Sequence, residues 1–210
     1  MKRRSWLAVM AGGLFASLAQ LSHAMGPRPR GFGVVVSSSL MHGVQIKYGV
    51  EIRSDTGRHL AGYASLATNN GPFGGQTSGY GGMGLPEWVE VSWRIGDFIQ
   101  RFDPEAKSVW TGGTVVARHR IEVASRIPED VVRYASAERG RAIKLMFRIL
   151  DDDVVMGWCV QEPSKLGGGW IFSNFGGDFV PARRVRGEIV EMGWYLDRKT
   201  GQRVETTTGH

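Results

Sequence analysis

Cysteine is almost absent. Cys159 is the only one among 210 residues, so no internal disulfide can form and the fold must rest on its hydrophobic core. Histidine is scarce as well, and no pair has the spacing of zinc ligands, nor does His-Glu-x-x-His occur. The Gly-x-Ser-x-Gly elbow and the Ser-x-x-Lys pair, local contexts that expose and activate a serine, are missing. No apolar run reaches the ~20 residues that span a bilayer. An acidic excess is missing too: 26 basic residues stand against 20 acidic ones.

What is present begins with a leader. Lys2, Arg3 and Arg4 precede an uncharged, apolar or small stretch from Trp6 to Leu21, and Ser22-His23-Ala24 offers small residues where a signal peptidase reads. This is the pattern of a secretory signal over 1–24, cleaved between Ala24 and Met25. No cysteine stands at the cleavage point to carry lipid, so the expected product is periplasmic with no stable membrane anchor. Cleavage removes three basic and no acidic residues, leaving a net charge of +3. Much of the basic excess therefore belongs to the leader, and no nucleic-acid partner is expected. The remaining 186 residues suit one domain.

Residues 25–33, rich in Pro, Gly and Arg, read as a flexible lead-in. A single β-rich domain follows over 34–197, then a polar tail over 198–210. Val44, Ile46, Tyr48, Val50 and Ile52 occupy alternate positions, the signature of a half-buried strand. Asp55-Thr56-Gly57 supplies a turn into a second strand, His59 to Ala67. Asn69 to Gly84 holds seven glycines in sixteen residues and reads as a long loop. Glu87 to Ile95 is a strand with Val89, Val91, Trp93 and Ile95 facing the core. Val115 to Ile127 alternates again, with His119 on its apolar face. Pro128-Glu129-Asp130 opens a short helix buried through Val131, Tyr134 and Ala135 and stopped by Gly140. Ala142–Leu150 and Val154–Gln161 flank an Asp151-Asp152-Asp153 turn, and strands follow at Trp170–Phe172 and Arg186–Leu196. The pattern predicts a mainly β protein, an antiparallel β-sandwich or twisted sheet with one short helix.

Chemistry is thin. Gly79-Tyr80-Gly81-Gly82-Met83-Gly84 spells Gly-x-Gly-x-x-Gly, but Pro86 and a strand follow where a dinucleotide site needs a helix. The three consecutive aspartates lack the alternate spacing of a calcium loop and read as a solvated turn. Cys159 shares a strand face with Val155 and Gly157 and reads as a buried structural thiol. Trp93 and Trp158 belong to apolar faces. No catalytic residue, metal or cofactor is assigned. The candidate binding residues are Tyr80, Met83, Trp88, Trp110 and Trp170, aromatic or soft apolar side chains in or beside glycine-rich segments, as protein interfaces use them.

The run Gly84-Leu85-Pro86-Glu87-Trp88-Val89-Glu90-Val91-Ser92-Trp93-Arg94 resembles the Leu-Pro-x-x-Val-x-Val-x-Trp-Arg core of a group of uncharacterised bacterial envelope proteins. Many of these are lipoproteins, and some are encoded beside type VI secretion toxins and regarded as their immunity proteins. This chain departs from them in lacking the lipoprotein cysteine, and the family supplies no catalytic residues to carry over. The resemblance implies a non-enzymatic protein whose partner is another protein, a toxin that it neutralises by docking or an envelope component. An envelope structural or secretion-accessory role is the alternative, and a hydrolase using Asp152 or His42 a third. If the leader is cleaved as read, protein recovered from the periplasm has Met25 as its first residue by N-terminal sequencing; a chain that keeps Met1 and fractionates with the cytosol contradicts the export reading.

Overall fold

The computed structural model describes residues 31–38, 46–66, 78–105, 108–150, 152–165, 167–197 and 199–207. In chain order the strands are β1 (Gly31–Ser38), β2 (Lys47–Ser54), β3 (His59–Leu66), β4 (Ser78–Gly81), β5 (Trp88–Asp103) and β6 (Ser108–Glu122). Helix α1 (Glu129–Ala137) follows, then β7 (Ala142–Ile149), β8 (Val154–Pro163), β9 (Trp170–Gly177), β10 (Phe179–Val180), β11 (Arg183–Val185), β12 (Glu188–Glu191), β13 (Gly193–Asp197) and β14 (Gln202–Thr206). The protein is mainly β, with one α-helix among the described residues. A five-stranded sheet has the order β4-β1-β7-β8-β9, a four-stranded sheet β3-β2-β5-β6, and smaller sheets join β10-β13-β14 and β11-β12.

The two large sheets pack as a sandwich. Phe32, Leu145, Phe147, Met156 and Trp158 of the first meet Val50, Ile52, Leu60, Val91 and Ile121 of the second in one core, which α1 joins through Val131 and Ala135. Alternation along β2 and β5 supplies one wall, because every second side chain of a strand points the same way. β7 and β8 are different, for they are largely buried on both faces. Their other side, with Met146, Val155 and Cys159, is covered by Phe179, Phe172, Phe175 and Tyr195. The five-stranded sheet is thus a middle layer, and strands buried on both faces lose the period-two contrast.

Several boundaries differ from expectation. β1 begins at Gly31, inside the expected lead-in, because Phe32 pairs with Ile143 and is 2% exposed; residues 25–30 lie outside the described residues, as do Ala24 and Met25. β1 and β7 run parallel, so the sheet is mixed rather than purely antiparallel. The chain between them traverses the whole four-stranded sheet, ample for a parallel connection. The expected loop over 69–84 contains β4, whose glycines meet those of β1 in register, Gly81 with Gly31 and Gly79 with Gly33; residues 67–77 lie outside the described residues. The tail contains β14, paired with β13 from Gly193–Thr206 to Asp197–Gln202, so it is the outer strand of a sheet. Ile95 is 56% exposed rather than buried, because Gly96 takes φ +81° and the register shifts there. Tyr134 lies at the helix margin, its hydroxyl donating to Glu162 Oε2 at 3.2 Å.

Asp178 joins the layers. It is 7% exposed, its carboxylate accepts the Met156 amide at 3.0 Å and takes a guanidinium bond from Arg126. Its own amide donates to Met156 O and its carbonyl accepts Leu196 N. Removing one partner of a buried charged pair leaves the other uncompensated. Asp178→Ala is therefore expected to lower unfolding stability by about 3 kcal/mol in denaturant titration, while Asp152→Ala, in an exposed turn, changes it little.

Candidate functional site

The site grows from the β2–β3 turn. Asp55 Oδ1 accepts the Thr56 amide at 3.0 Å and Oδ2 accepts the Glu87 amide at 3.0 Å, while the Asp55 amide donates to Trp88 O at 3.0 Å. Ser54 Oγ lies 2.8 Å from Thr56 Oγ1 and accepts the Arg58 amide at 3.2 Å. Gly57 closes the turn at φ +72°, a conformation costly for side chains bearing Cβ. This knot clamps the chain where β5 begins and sets the direction in which Trp88 leaves. Met83, packed on the edge of the core, touches the Arg58 guanidinium.

Trp88 is half-buried, and the Arg120 guanidinium lies over its ring at 4.4 Å. Arg120 is also held by Glu122 at 3.0 Å, and neighbouring Arg118 by Glu90 at 2.6 Å. The cation is attracted to the negative face of the indole. One recess of about 330 Å³ is lined by Asp55, Met83 and Glu87, and another of about 370 Å³ by Arg118, Arg120, Arg126 and Asp153. Both open to solvent. In the second, His119 stacks on Trp93 with ring centroids 5.0 Å apart and its Nδ1 3.9 Å from Asp153 Oδ1.

Of the five candidate binding residues, Met83 packs at the edge of the core and lines the first recess, Trp88 lies under Arg120, and three lie elsewhere. Trp110 is a core residue, not a binding one: it is 3% exposed, donates Nε1–H to Val50 O at 3.0 Å and receives Phe98 edge-on at 5.9 Å. The reason is the β5–β6 hairpin, which bends at Gly96, Gly112 and Gly113, all at positive φ, and lays its tip against β2. The same fold-back buries Glu51, whose carboxylate accepts Ser108 Oγ at 2.6 Å and the Val109 amide at 3.2 Å beside Arg53 at 3.2 Å. Trp170 is 56% exposed on β9, opposite Pro163 at the far end of β8 from Asp153. Tyr80 stands in β4 opposite Phe32, and its side chain is not among those described.

Sequence reasoning missed Arg58, Arg120 and the Asp55 clamp. Asp55-Thr56-Gly57 was visible as a turn, but its grip on Glu87 depends on a fold contact 32 residues away. Arg120 was visible as an outward residue of an alternating strand; which ring it would cover depends on register. Asp152 is exposed, with Lys199 Nζ at 3.9 Å, and His42 lies outside the described residues. Among the described residues no three His, Cys, Asp or Glu side chains group as metal ligands, and no helix is long and apolar enough to cross a membrane. Compared with known proteins, the chain matches no family model, no curated protein and no solved structure.

Cys159 is fully buried. Desolvation pushes its thiol up to about 12, with the Lys144 ammonium pulling weakly the other way. A thiol nucleophile needs the opposite shift. The native protein is expected not to react with a disulfide reagent at pH 8 and to release one thiol equivalent once unfolded. Since the folded pKa is raised, the thiol's contribution to stability is intact below about 8.5, the ordinary thiol pKa. It is lost as the pH climbs toward about 12.

Proposed function

We propose that this is an exported protein that acts by docking onto another protein, in the manner of an immunity protein that neutralises a secreted toxin. One observation carries the reading: Trp88, held half-buried under the Arg120 guanidinium at 4.4 Å. Tryptophan and arginine dominate the binding energy of protein interfaces when they are pre-positioned at low entropic cost. The Asp55 clamp does that positioning, and Met83 beside Arg58 adds a soft apolar contact that adapts to a partner's surface. The leader supports export, and the Leu85–Arg94 resemblance supports immunity as the form of docking.

Binding rather than catalysis is the reading because the groups with chemical reach are engaged in structure. His119 is stacked on Trp93, Glu51 is consumed by the hairpin tip, and Cys159 is sealed within the core. A second reading, an envelope structural or secretion-accessory subunit, is favoured by one further surface. Ile95, Ile99 and Phe102 of the β5–β6 hairpin are 56%, 59% and 61% exposed, which suits a subunit held by several neighbours.

The test is binding to the product of the adjacent gene, measured by calorimetry. Trp88→Ala is expected to weaken the complex by about 2 kcal/mol, roughly thirtyfold. Arg120→Ala, at an exposed position, is expected to weaken it similarly. Absence of a complex, together with no protection of cells expressing that product, defeats the immunity reading; co-purification with several envelope proteins without protection selects the accessory one.

A further inference from the structure

β11 and β12 pair only with each other. The ribbon they form, Arg183 to Glu191, is exposed at every position except Ile189, which is half-buried. It adds little to the core, and a two-stranded hairpin is marginal when left to itself. Its root, by contrast, is fixed. Ala182 is 0% exposed, and a Cβ on Gly193 would stand close to Ala182 N and 2.6 Å from Val180 O, so the two strands leave the body at one tight crossing. Further out, Arg184 donates to Gly187 O at 2.8 Å and to Thr207 O at 3.1 Å, bracing the ribbon against the chain that leaves β14.

The tip departs from the usual turn chemistry. Arg186 and Gly187 are its two central residues, at φ +52° and +90°. Two-residue hairpin turns with positive φ at both positions favour Asn, Asp or Gly in the first, and a long side chain there carries backbone strain. Strain of this kind collects where a side chain has a task. The charges sort accordingly. The ribbon carries Arg183, Arg184, Arg186, Glu188 and Glu191. Arg183 is paired with Glu191 at 3.4 Å, and Arg184 is engaged by the two carbonyls. Arg186 has no hydrogen bond or ion pair among the described residues. Glu188 stands on the flank, opposite Val185.

We propose that this ribbon is a finger that sets the Arg186 guanidinium in a carboxylate-lined cleft of the partner protein. The proposal rests on the docking reading and adds a second point of contact to it, on a different sheet from Trp88. A guanidinium grips a carboxylate through two parallel N–H···O bonds, and a braced root and fixed turn reduce what is lost on ordering it. Exposed Val185 and Val190 give the walls of a cleft apolar contact. Phosphate-rich partners fit less well, because Glu188 and Glu191 share the ribbon and repel them.

The test is calorimetric binding of the whole protein to the product of the adjacent gene. Arg186→Asn suits the turn and removes the charge. It is expected to weaken the complex about thirtyfold, with the thermal midpoint of the free protein unchanged or raised. Arg186→Lys keeps the charge without the fork and is expected to recover only part of that affinity. A complex that keeps its affinity in Arg186→Asn overturns the finger and leaves docking through Trp88 standing, whereas no complex with the parent chain overturns both. A thermal midpoint that falls together with affinity in Arg186→Asn assigns the side chain to the fold and overturns the proposal. So does binding of the parent, lost in Arg186→Asn, to single-stranded RNA or to phosphatidylglycerol vesicles in place of that protein.

Discussion

Asp178 lies where three layers meet, and the arrangement of the C-terminal third depends on how its charge is satisfied. Its carboxylate is shared between the Arg126 guanidinium and the Met156 amide. Its own backbone is bonded to Met156 O and Leu196 N. A carboxylate is tolerated in such a place only when hydrogen bonds replace its lost water. The connection leaving β6, the centre of β8 and the start of the C-terminal layer are thereby tied at one residue. Glycine makes the approach close enough: a Cβ on Gly157 would stand 2.7 Å from Phe179 O, and one on Gly177 would collide with Met156 O.

That layer covers cations as well as apolar groups. Lys144 lies over the Phe172 ring and Arg148 over Phe179, each at 4.5 Å. Desolvation lowers the Lys144 ammonium and brings the Arg148 guanidinium down to about 10, the direction expected when burial penalises a positive charge. The aromatic faces offset part of that penalty. The C-terminal strands are therefore a working cover for the middle sheet. A sequence rule that reads a polar C-terminus as a loose end fails here because Gln202–Thr206 gains its order from pairing with β13.

What was legible and what was not divides along a physical line. The period-two pattern marked the first half of β5, and the helix showed through its acidic first turn; in β2 it held for Val50 and Ile52 only, since the register shifts after Tyr48, leaving Ile46 and Tyr48 exposed and Glu51 buried. The partners of each strand were not legible, because pairing is set by contacts far apart in the chain. Phe32 against Ile143 spans most of the domain, and nothing local announces that the two strands run parallel. Trp110 exposes the same limit. Beside Gly112-Gly113 it looked like an anchor at a flexible turn, but those glycines bend the hairpin and carry the indole under cover to Val50. Of the candidate site, Met83 and Trp88 were readable as residue types; the Asp55 clamp and the Arg120 cover come only with the fold.

The surface of this protein is differentiated by how its strand edges meet water. Along β6 the charges are held close to the sheet, Arg118 by Glu90 and Arg120 by Glu122, so that edge is solvated and yet keeps a fixed aromatic at its side. Such a surface resists strand addition and favours recognition through side chains, since the ladder groups are screened while Trp88 remains accessible. β9 has the opposite character, with neither charge nor proline and two large apolar side chains in solvent.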